Sequence, residues 1–493
     1  MPRSQDLAHG ATSRHYIPAM TDQKHKVSNV FVPGRLPDLT YNPRANLQLE
    51  DQLNDYLDEG GAILTVAGPT KTGKSVLLQQ VVPDPVWLDG QAVTDVETLW
   101  RLVGEELVVY TGAEKGVGES ATGGGSVSSK AGIGPLVQVG AQATYTATDS
   151  ESRKYSVERP VAAVVSKALV ASARPLVIDD FHFIDRAVQR QVVRALKPVV
   201  LAGNAVILVS ISHRAQDVVT AEGDMTGRVV PLTVPFWSEA DLMQIAQKGF
   251  SLLNVHDEQN GLANFLAEQC YGSPHLMQKF CRELCKLNGV RETAPTTIQL
   301  QKPEDWTVFL QAQVDATSRD WFQRLLTGPE ERGTTRNQWQ VRGDGLLDGY
   351  GLTLLAISRT GPKLTLTKAE IKAAVDAAVE GASPQAHQTT RVLQRMTMIA
   401  SKRATGQAPT EAELDAEQEG LPDIQPVLEY MEDGASSTLH LADPFFAFYL
   451  AWAAEQHLAD SQRPESVEEP AGGRDVPGPP DAPPLDLKKQ RNS

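Results

Sequence analysis

The chain is short of cysteine, of basic charge and of long apolar runs, and each shortage removes a class of protein. Its three cysteines, Cys270, Cys281 and Cys285, fall within one short stretch, which is no basis for a disulfide framework. Cys281 and Cys285 stand four apart on an apolar helical pattern and read as buried thiols; no second Cys/His pair exists to complete a zinc site. No run approaches the roughly 18 uncharged apolar residues that a bilayer span requires. The first twenty residues carry Arg3, Asp6 and Arg14 without an apolar segment, so no secretory signal is read, and a reducing cytoplasmic compartment is expected. Basic residues number 46 against 61 acidic ones, a net charge of −15. That balance argues against coating nucleic acid along the whole chain, yet leaves room for a local basic face.

What is present is globular. Length 493, with 41% apolar and 22% charged residues, predicts two or three domains. Residues 1–40 are polar and punctuated by Pro18, Pro33 and Pro37, and read as an arm that packs on a later domain. From Tyr41 the pattern changes: Leu47, Leu49, Leu53 and Leu57 predict an amphipathic helix ending at Gly60-Gly61. Short apolar strands at 62–67, 86–88, 176–178, 205–210 and 229–234 then alternate with helices at 76–82, 96–110 and 186–200. Such alternation predicts an α/β fold, a parallel sheet covered on both faces, over 41–235. A Gly/Ser-rich excursion at 112–156 interrupts it; a β-hairpin and a plain surface loop both fit that stretch. A helical bundle is expected over 236–300, a helical linker over 301–345 with one helix from Trp306 to Leu326, and a third unit over 346–457 with an acidic insertion at 404–425. The proline-rich residues 458–493 read as a disordered tail.

The sharpest motif is Gly68-Pro69-Thr70-Lys71-Thr72-Gly73-Lys74-Ser75, a G-x-x-x-x-G-K-[ST] sequence with a strand before it and a helix, opening at Val76, after it. Glycines let backbone N–H groups curl round phosphate oxygens, and the helix N-terminus adds its positive end. Lys74 is expected to reach the β- and γ-phosphates and Ser75 to bind Mg²⁺, which makes Mg-ATP the expected ligand; the loop alone does not separate ATP from GTP. A second motif, Pro175-Leu176-Val177-Ile178-Asp179-Asp180, ends a strand in paired carboxylates. Asp179 suits the metal, and Asp180 suits either polarising a water or capping the next turn. A third strand, Val206 to Ser210, runs into Ser212-His213-Arg214. Arg214 is the candidate for contacting a terminal phosphate, with Ser210 as the alternative.

In this order the three motifs resemble the Walker A, Walker B and sensor 1 elements of AAA+ and STAND ATPases, over residues 41 to about 290. Tyr41-Asn42-Pro43-Arg44 resembles the segment that packs on adenine in initiator- and archaeal-type members, which assigns Tyr41 and Arg44 to the base. Gly272-Ser273-Pro274 is similar to the second sensor, which assigns Pro274 to the nucleotide; Gly227-Arg228 stands where the family places an arginine finger acting on a neighbouring subunit. Two departures, Asp-Asp in place of Asp-Glu and His275 in place of a sensor arginine, imply slow hydrolysis and a nucleotide-gated switch.

The order of helices and the hairpin formed by Val427 to Met431 and Thr438 to Leu441 resembles the winged helix-turn-helix that follows the lid in these ATPases. Between Gly361 and Arg403 seven basic residues face three acidic ones, which suits duplex DNA, with Gln388, Thr389, Thr390, Arg391 and Gln394 on the candidate recognition helix. Against this, the nine acidic residues from Thr410 to Asp433 suit a winged helix that only packs on the ATPase. Three functions stand open: a slow switch ATPase working as a homo-oligomer, in defence or signalling with a separate effector protein; a DNA-binding initiator or loader; and a scaffold that binds ATP without hydrolysis. No membrane partner is expected.

Overall fold

The computed structural model describes residues 24–109, 161–211, 227–330, 336–343, 345–402, 410, 426–433 and 436–462. The excursion at 112–156, the acidic insertion at 404–425 and Arg214 lie outside the described residues. Strands β1 (Ile63–Ala67), β2 (Val86–Asp89), β3 (Leu176–Asp179), β4 (Val206–Ser210) and β5 (Val229–Thr233) form one sheet in the order β2-β3-β4-β1-β5. Every neighbouring pair is parallel.

Side-chain alternation divides this sheet between two cores. Ile63, Leu88, Ile178 and Leu208 point to one face, covered by α4 (Val96–Glu106), α5 (Val161–Ser172) and α6 (Arg186–Leu201). Leu64, Val66, Val177 and Val209 point to the other, against α2 (Leu49–Glu59) and α3 (Lys74–Val81). Residues that would be polar on a half-solvated sheet are apolar here because both faces are dry. The fold class expected from the sequence is the one present: a P-loop parallel sheet, then a helical lid, then a winged helix.

The lid packs α7 (Glu239–Leu252), α8 (Gly261–Glu268) and α9 (Pro274–Leu287) around one core, beside a short parallel pair, β6 (Val255–His256) and β7 (Ile298–Gln299). All three cysteines are buried in it as free thiols. The arm contributes as well: Val27 and Val30 of the short helix α1 (Val27–Val30), with Phe31, join the same core. Phe31 lies edge-on to Phe250, 5.7 Å between ring centroids, over Gly249, where an added Cβ would meet the Phe31 ring at 2.2 Å.

Three stretches differ from expectation. The helix expected from Trp306 to Leu326 is two, α10 (Trp306–Gln311) and α11 (Ala316–Thr327), because Asp315 accepts from Ser318 N and starts the second. The expected helical linker also holds an antiparallel hairpin, β8 (Gln338–Val341) and β9 (Gly345–Asp348), and Phe322 and Leu325 of α11 belong to the C-terminal core. At the far end the chain stays helical through α16 (Ala454–Ser461), where Leu458 is buried, instead of giving way to disorder at 458.

The C-terminal unit runs α12 (Gly349–Ser358), β10 (Thr365–Thr367), α13 (Lys368–Ala378), α14 (Ala386–Ala400), β11 (Leu428–Met431) and β12 (Thr438–Leu441), with an antiparallel sheet in the order β10-β12-β11. Leu366 lies in strand β10; Thr367, its last residue, closes a capping box with Glu370 and starts α13. Helix α15 (Pro444–Trp452) is apolar on all sides because it is buried on all sides. Its Phe445 and Phe448 enter the lid core, and Phe446, Tyr449 and Leu450 enter the winged-helix core. Since Phe31 is fully buried, Phe31→Ala should cost about 3–5 kcal/mol by emptying the arm's socket. A lowered thermal midpoint is the readout, and an unchanged one contradicts the arm's role in the lid.

Candidate functional site

The phosphate loop connects β1 to α3, and its glycines answer to different constraints. At Gly68 a Cβ would lie 2.1 Å from the Val234 carbonyl oxygen, so no side chain fits. Gly73 has φ +89, the left-handed region that favours glycine. Thr72 Oγ1 donates to Pro69 O at 2.9 Å and braces the turn.

Lys74 is the first residue of α3, and its Nζ donates to Gly68 O and Pro69 O, each at 2.8 Å. Burial pushes its ammonium down to about 8, with Asp180 and Asp179 opposing that shift. In the next residue of the same helix, Ser75 Oγ donates to Asp179 Oδ2 at 2.7 Å. A hydroxyl beside a carboxylate is a hard-oxygen pair of the kind Mg²⁺ takes alongside phosphate oxygens, so these residues fit that ion. Asp179 Oδ1 also accepts the Asp180 N–H at 3.0 Å. Asp180 has φ +52, and its side chain makes no capping bond to the turn Phe181–Phe183 that follows. Burial and the neighbouring Asp179 charge push its carboxyl up to about 6, with Lys74 pulling the other way.

Ser210 ends β4 in register with Ala67, the residue before the loop, and its buried Oγ has no hydrogen-bond partner among the described residues. An orphaned hydroxyl at this edge is costly unless a ligand meets it. Of the two candidates there, Ser210 is thus at the edge and Arg214 lies outside the described residues. Arg228 is exposed at the opposite, N-terminal end of β5, where its carbonyl accepts from Ile63 N. A five-residue strand separates it from its own loop, roughly 16 Å at 3.3 Å per residue. Its side chain does not reach the loop of its own chain.

Beside the loop opens a cavity of about 350 Å³, lined on one side by Lys71, Thr72, Gly73, Ser75 and Val76, on another by Tyr41 and Arg44, and on a third by Pro274 and His275. Tyr41 OH donates to Glu50 at 2.7 Å. Arg44 turns away from phosphate: it donates to Pro235 O at 2.9 Å and lies 4.7 Å over the Trp237 ring, tying the arm to the lid. Sequence reading missed several lining residues. Trp237 donates from Nε1 to Thr72 O at 2.8 Å, and Gln278 bridges Val32 N and Thr40 Oγ1, roofing the cavity with arm residues 32–40. Only the proline punctuation of that stretch hinted at a fixed path.

Lys71, with φ +59, leaves the loop toward the C-terminal unit. Its Nζ bonds both oxygens of Asp443, at 3.0 and 2.8 Å, and sits 3.9 Å from the Phe445 ring centre. Phe445 in turn packs edge-on against His275 of α9, centroids 5.0 Å apart. Burial pushes the His275 imidazole down to about 4, so it is neutral at physiological pH.

On the winged helix the expected DNA-reading face is largely spoken for. Thr389 and Thr390 are buried, and Gln394 donates to Glu432. Lys363 pairs with Glu370 and Lys372 with Asp376. Arg391 is exposed on α14.

No protein-family profile matches the chain, and no curated protein matches its sequence. Solved structures similar in arrangement include the Aeropyrum pernix ORC2 protein in its ADPNP-ADP complexes, at 12% identity and TM-score 0.43, covering 88% of this chain and 98% of that one. The Walker-type ATPase paby2304 of Pyrococcus abyssi gives 12% identity and TM-score 0.42, over 82% of this chain and 94% of that one. The Aeropyrum pernix ORC1 protein in complex with DNA gives 12% and 0.37, over 89% and 97%.

The acidic pair sets a pH dependence. An aspartate of the unfolded chain titrates near 3.8, so Asp180 adds no ionisation penalty to the fold below that pH; the penalty grows through about 6 and is complete above. Without nucleotide, Asp180→Asn should raise Tm by about 2–4 °C near pH 7.5 and by nothing near pH 4. Equal midpoints of the two proteins at both pH values would contradict the burial penalty.

Proposed function

We propose that the chain is an ATP-binding, slowly hydrolysing switch ATPase of AAA+/STAND type, in which nucleotide at the loop controls the hold of the winged-helix unit. The observation that supports this reading is the contact of Lys71 with Asp443 and Phe445. Asp443 is also the N-cap of α15, accepting from Phe445 N at 2.8 Å, so the loop holds the very end of the helix shared by the lid and the winged helix. Phosphate oxygens entering the loop compete for Lys71. The pair is partly exposed, with Lys71 at 37% and Asp443 at 19%. A partly exposed ion pair together with a cation–π contact contributes on the order of 1–2 kcal/mol, enough to change a two-state ratio about tenfold.

For the chemistry, Lys74 and the loop N–H groups hold phosphate charge, and Ser75 and Asp179 supply oxygen ligands for Mg²⁺. When bound, that ion neutralises charge on the phosphate oxygens. Asp180 accepts a proton from the attacking water, and the Ser210 hydroxyl contacts the terminal phosphate. Asp180 is one methylene shorter than a glutamate and holds water at longer range, hence slow turnover. Arg228 acts on the nucleotide of a neighbouring copy, which makes the active form a homo-oligomer. Among the described residues no helix is long and apolar enough to cross a membrane. The reading places the switch in the cytoplasm, in defence or signalling, with a separate protein as effector.

Turnover and molar mass, followed together by light scattering, test it. ATP should drive assembly, and Asp180→Ala should abolish hydrolysis and trap the assembled form; background turnover at constant mass overturns the switch and leaves the non-hydrolysing scaffold. Asp443→Asn keeps a capping side chain while removing the charge that holds Lys71. It should tighten nucleotide binding about tenfold, in line with the pair's 1–2 kcal/mol, and lower the ATP needed for assembly; unchanged affinity contradicts the competition for Lys71.

A second reading, a DNA-binding initiator or loader, is favoured by the winged-helix topology and the exposed Arg391. Duplex binding that weakens with salt, and weakens further in Arg391→Ala, is its expected outcome; salt-insensitive or absent binding removes it.

A further inference from the structure

The turn after β2 presses on the acidic pair from behind. Asp89, the last residue of β2, stands in register with Asp179, and the buried Gly90 opens a turn over Gly90–Ala92. A Cβ built on Gly90 would lie 2.5 Å from the Asp180 carbonyl oxygen, 2.8 Å from its carbonyl carbon and 2.9 Å from the Asp179 carbonyl oxygen. All three are backbone atoms, so no flexible side chain gives way. Gly90 itself is outside the left-handed region, so alanine suits its own backbone and lacks only the room.

What would have to move is the conformation of Asp180. Its φ of +52 and ψ of +37 are left-handed, a region that a non-glycine residue occupies only when its surroundings fix it there. Those surroundings are specific. The Asp180 N–H is held by Asp179 Oδ1, its carbonyl accepts from Phe183 N at 3.0 Å, and Gln189 Nε2 donates to the carbonyls of Phe181 and Ile184 just beyond. Gly90 closes the remaining side of the Asp180 carbonyl. Asp89 fixes that closure by accepting Gln91 N at 2.9 Å through Oδ1.

We propose that Gly90 is a positioning residue for hydrolysis: by having no side chain, it lets the β2 turn seat against the Asp180 carbonyl and so aims the Asp180 carboxylate at the phosphate site. The inference rests on the reading of Asp180 as the proton acceptor. The phosphate loop meets this cluster through one bond, Ser75 Oγ to Asp179 Oδ2, on the side of Asp179 away from the Asp180 N–H.

Gly90→Ala should lower kcat about 10–100-fold, the scale of a misplacement near 1 Å, with KM for Mg-ATP and ADP affinity within about twofold of native. Gln91→Ala, an exposed neighbour whose backbone alone is used, should turn over at the native rate. In an Asp180→Asn background Gly90→Ala should remove less than about a further twofold, because it acts through Asp180. A separate loss in that background, or native kcat in Gly90→Ala, overturns the proposal. Native kcat in Asp180→Asn alone instead overturns the role of Asp180. If Gly90→Ala fails to fold, Asp89→Ala takes its place: it frees the turn at an exposed position and should lower kcat about 3–10-fold at constant KM. Native kcat in that variant overturns the positioning role.

Discussion

An ammonium group buried beside two carboxylates, with two carbonyl oxygens as its hydrogen-bond partners among the described residues, is the constraint around which the site is arranged. Lys74, Asp179 and Asp180 are all taken partly out of water, and charge in that setting is costly unless paired. The strain is visible in opposite directions, with Lys74 pushed down to about 8 and Asp180 pushed up to about 6, each mainly by burial. On the proposed function, phosphate oxygens would add negative charge beside Lys74 and a divalent cation would offset the paired carboxylates.

That local tension reaches the rest of the chain through rigid parts. The sheet brings the ends of β1, β3 and β4 to one edge, so Ala67, Asp179 and Ser210 share it. Trp237 fastens the loop to the lid through Thr72 O, and Lys71 fastens it to α15 through Asp443. Helix α15 is packed into two cores at once, so a change at its first residue is felt by both. The winged helix is thus joined to the loop by a direct contact.

Much of the sheet and loop was legible because the signals are local. Continuous apolar strands, a G-x-x-x-x-G-K-S loop between strand and helix, and a strand ending in Asp-Asp each depend on few residues in a row. The wing hairpin was legible for the same reason. Helix breaks were not: Asp315 starts a new helix inside an apolar-periodic run, and Leu366-Thr367 pairs with β12 although its composition suits a helix. At Asp315 a local side-chain cap made the break, and at Leu366-Thr367 pairing with a distant strand outweighed local preference.

Sequence by itself singled out Lys74, Ser75, Asp179 and Asp180 as candidates for phosphate chemistry, from motif and strand order. Tertiary structure alone decided their company. Contacts across hundreds of residues, such as Lys71 with Asp443, Thr40 with Gln278 and Trp237 with Thr72, leave no periodicity to read. The same holds for Gly90, whose need for glycine comes from a carbonyl on another strand. Its own φ places no demand on it, and space between distant backbones is fixed only when the sheet has formed.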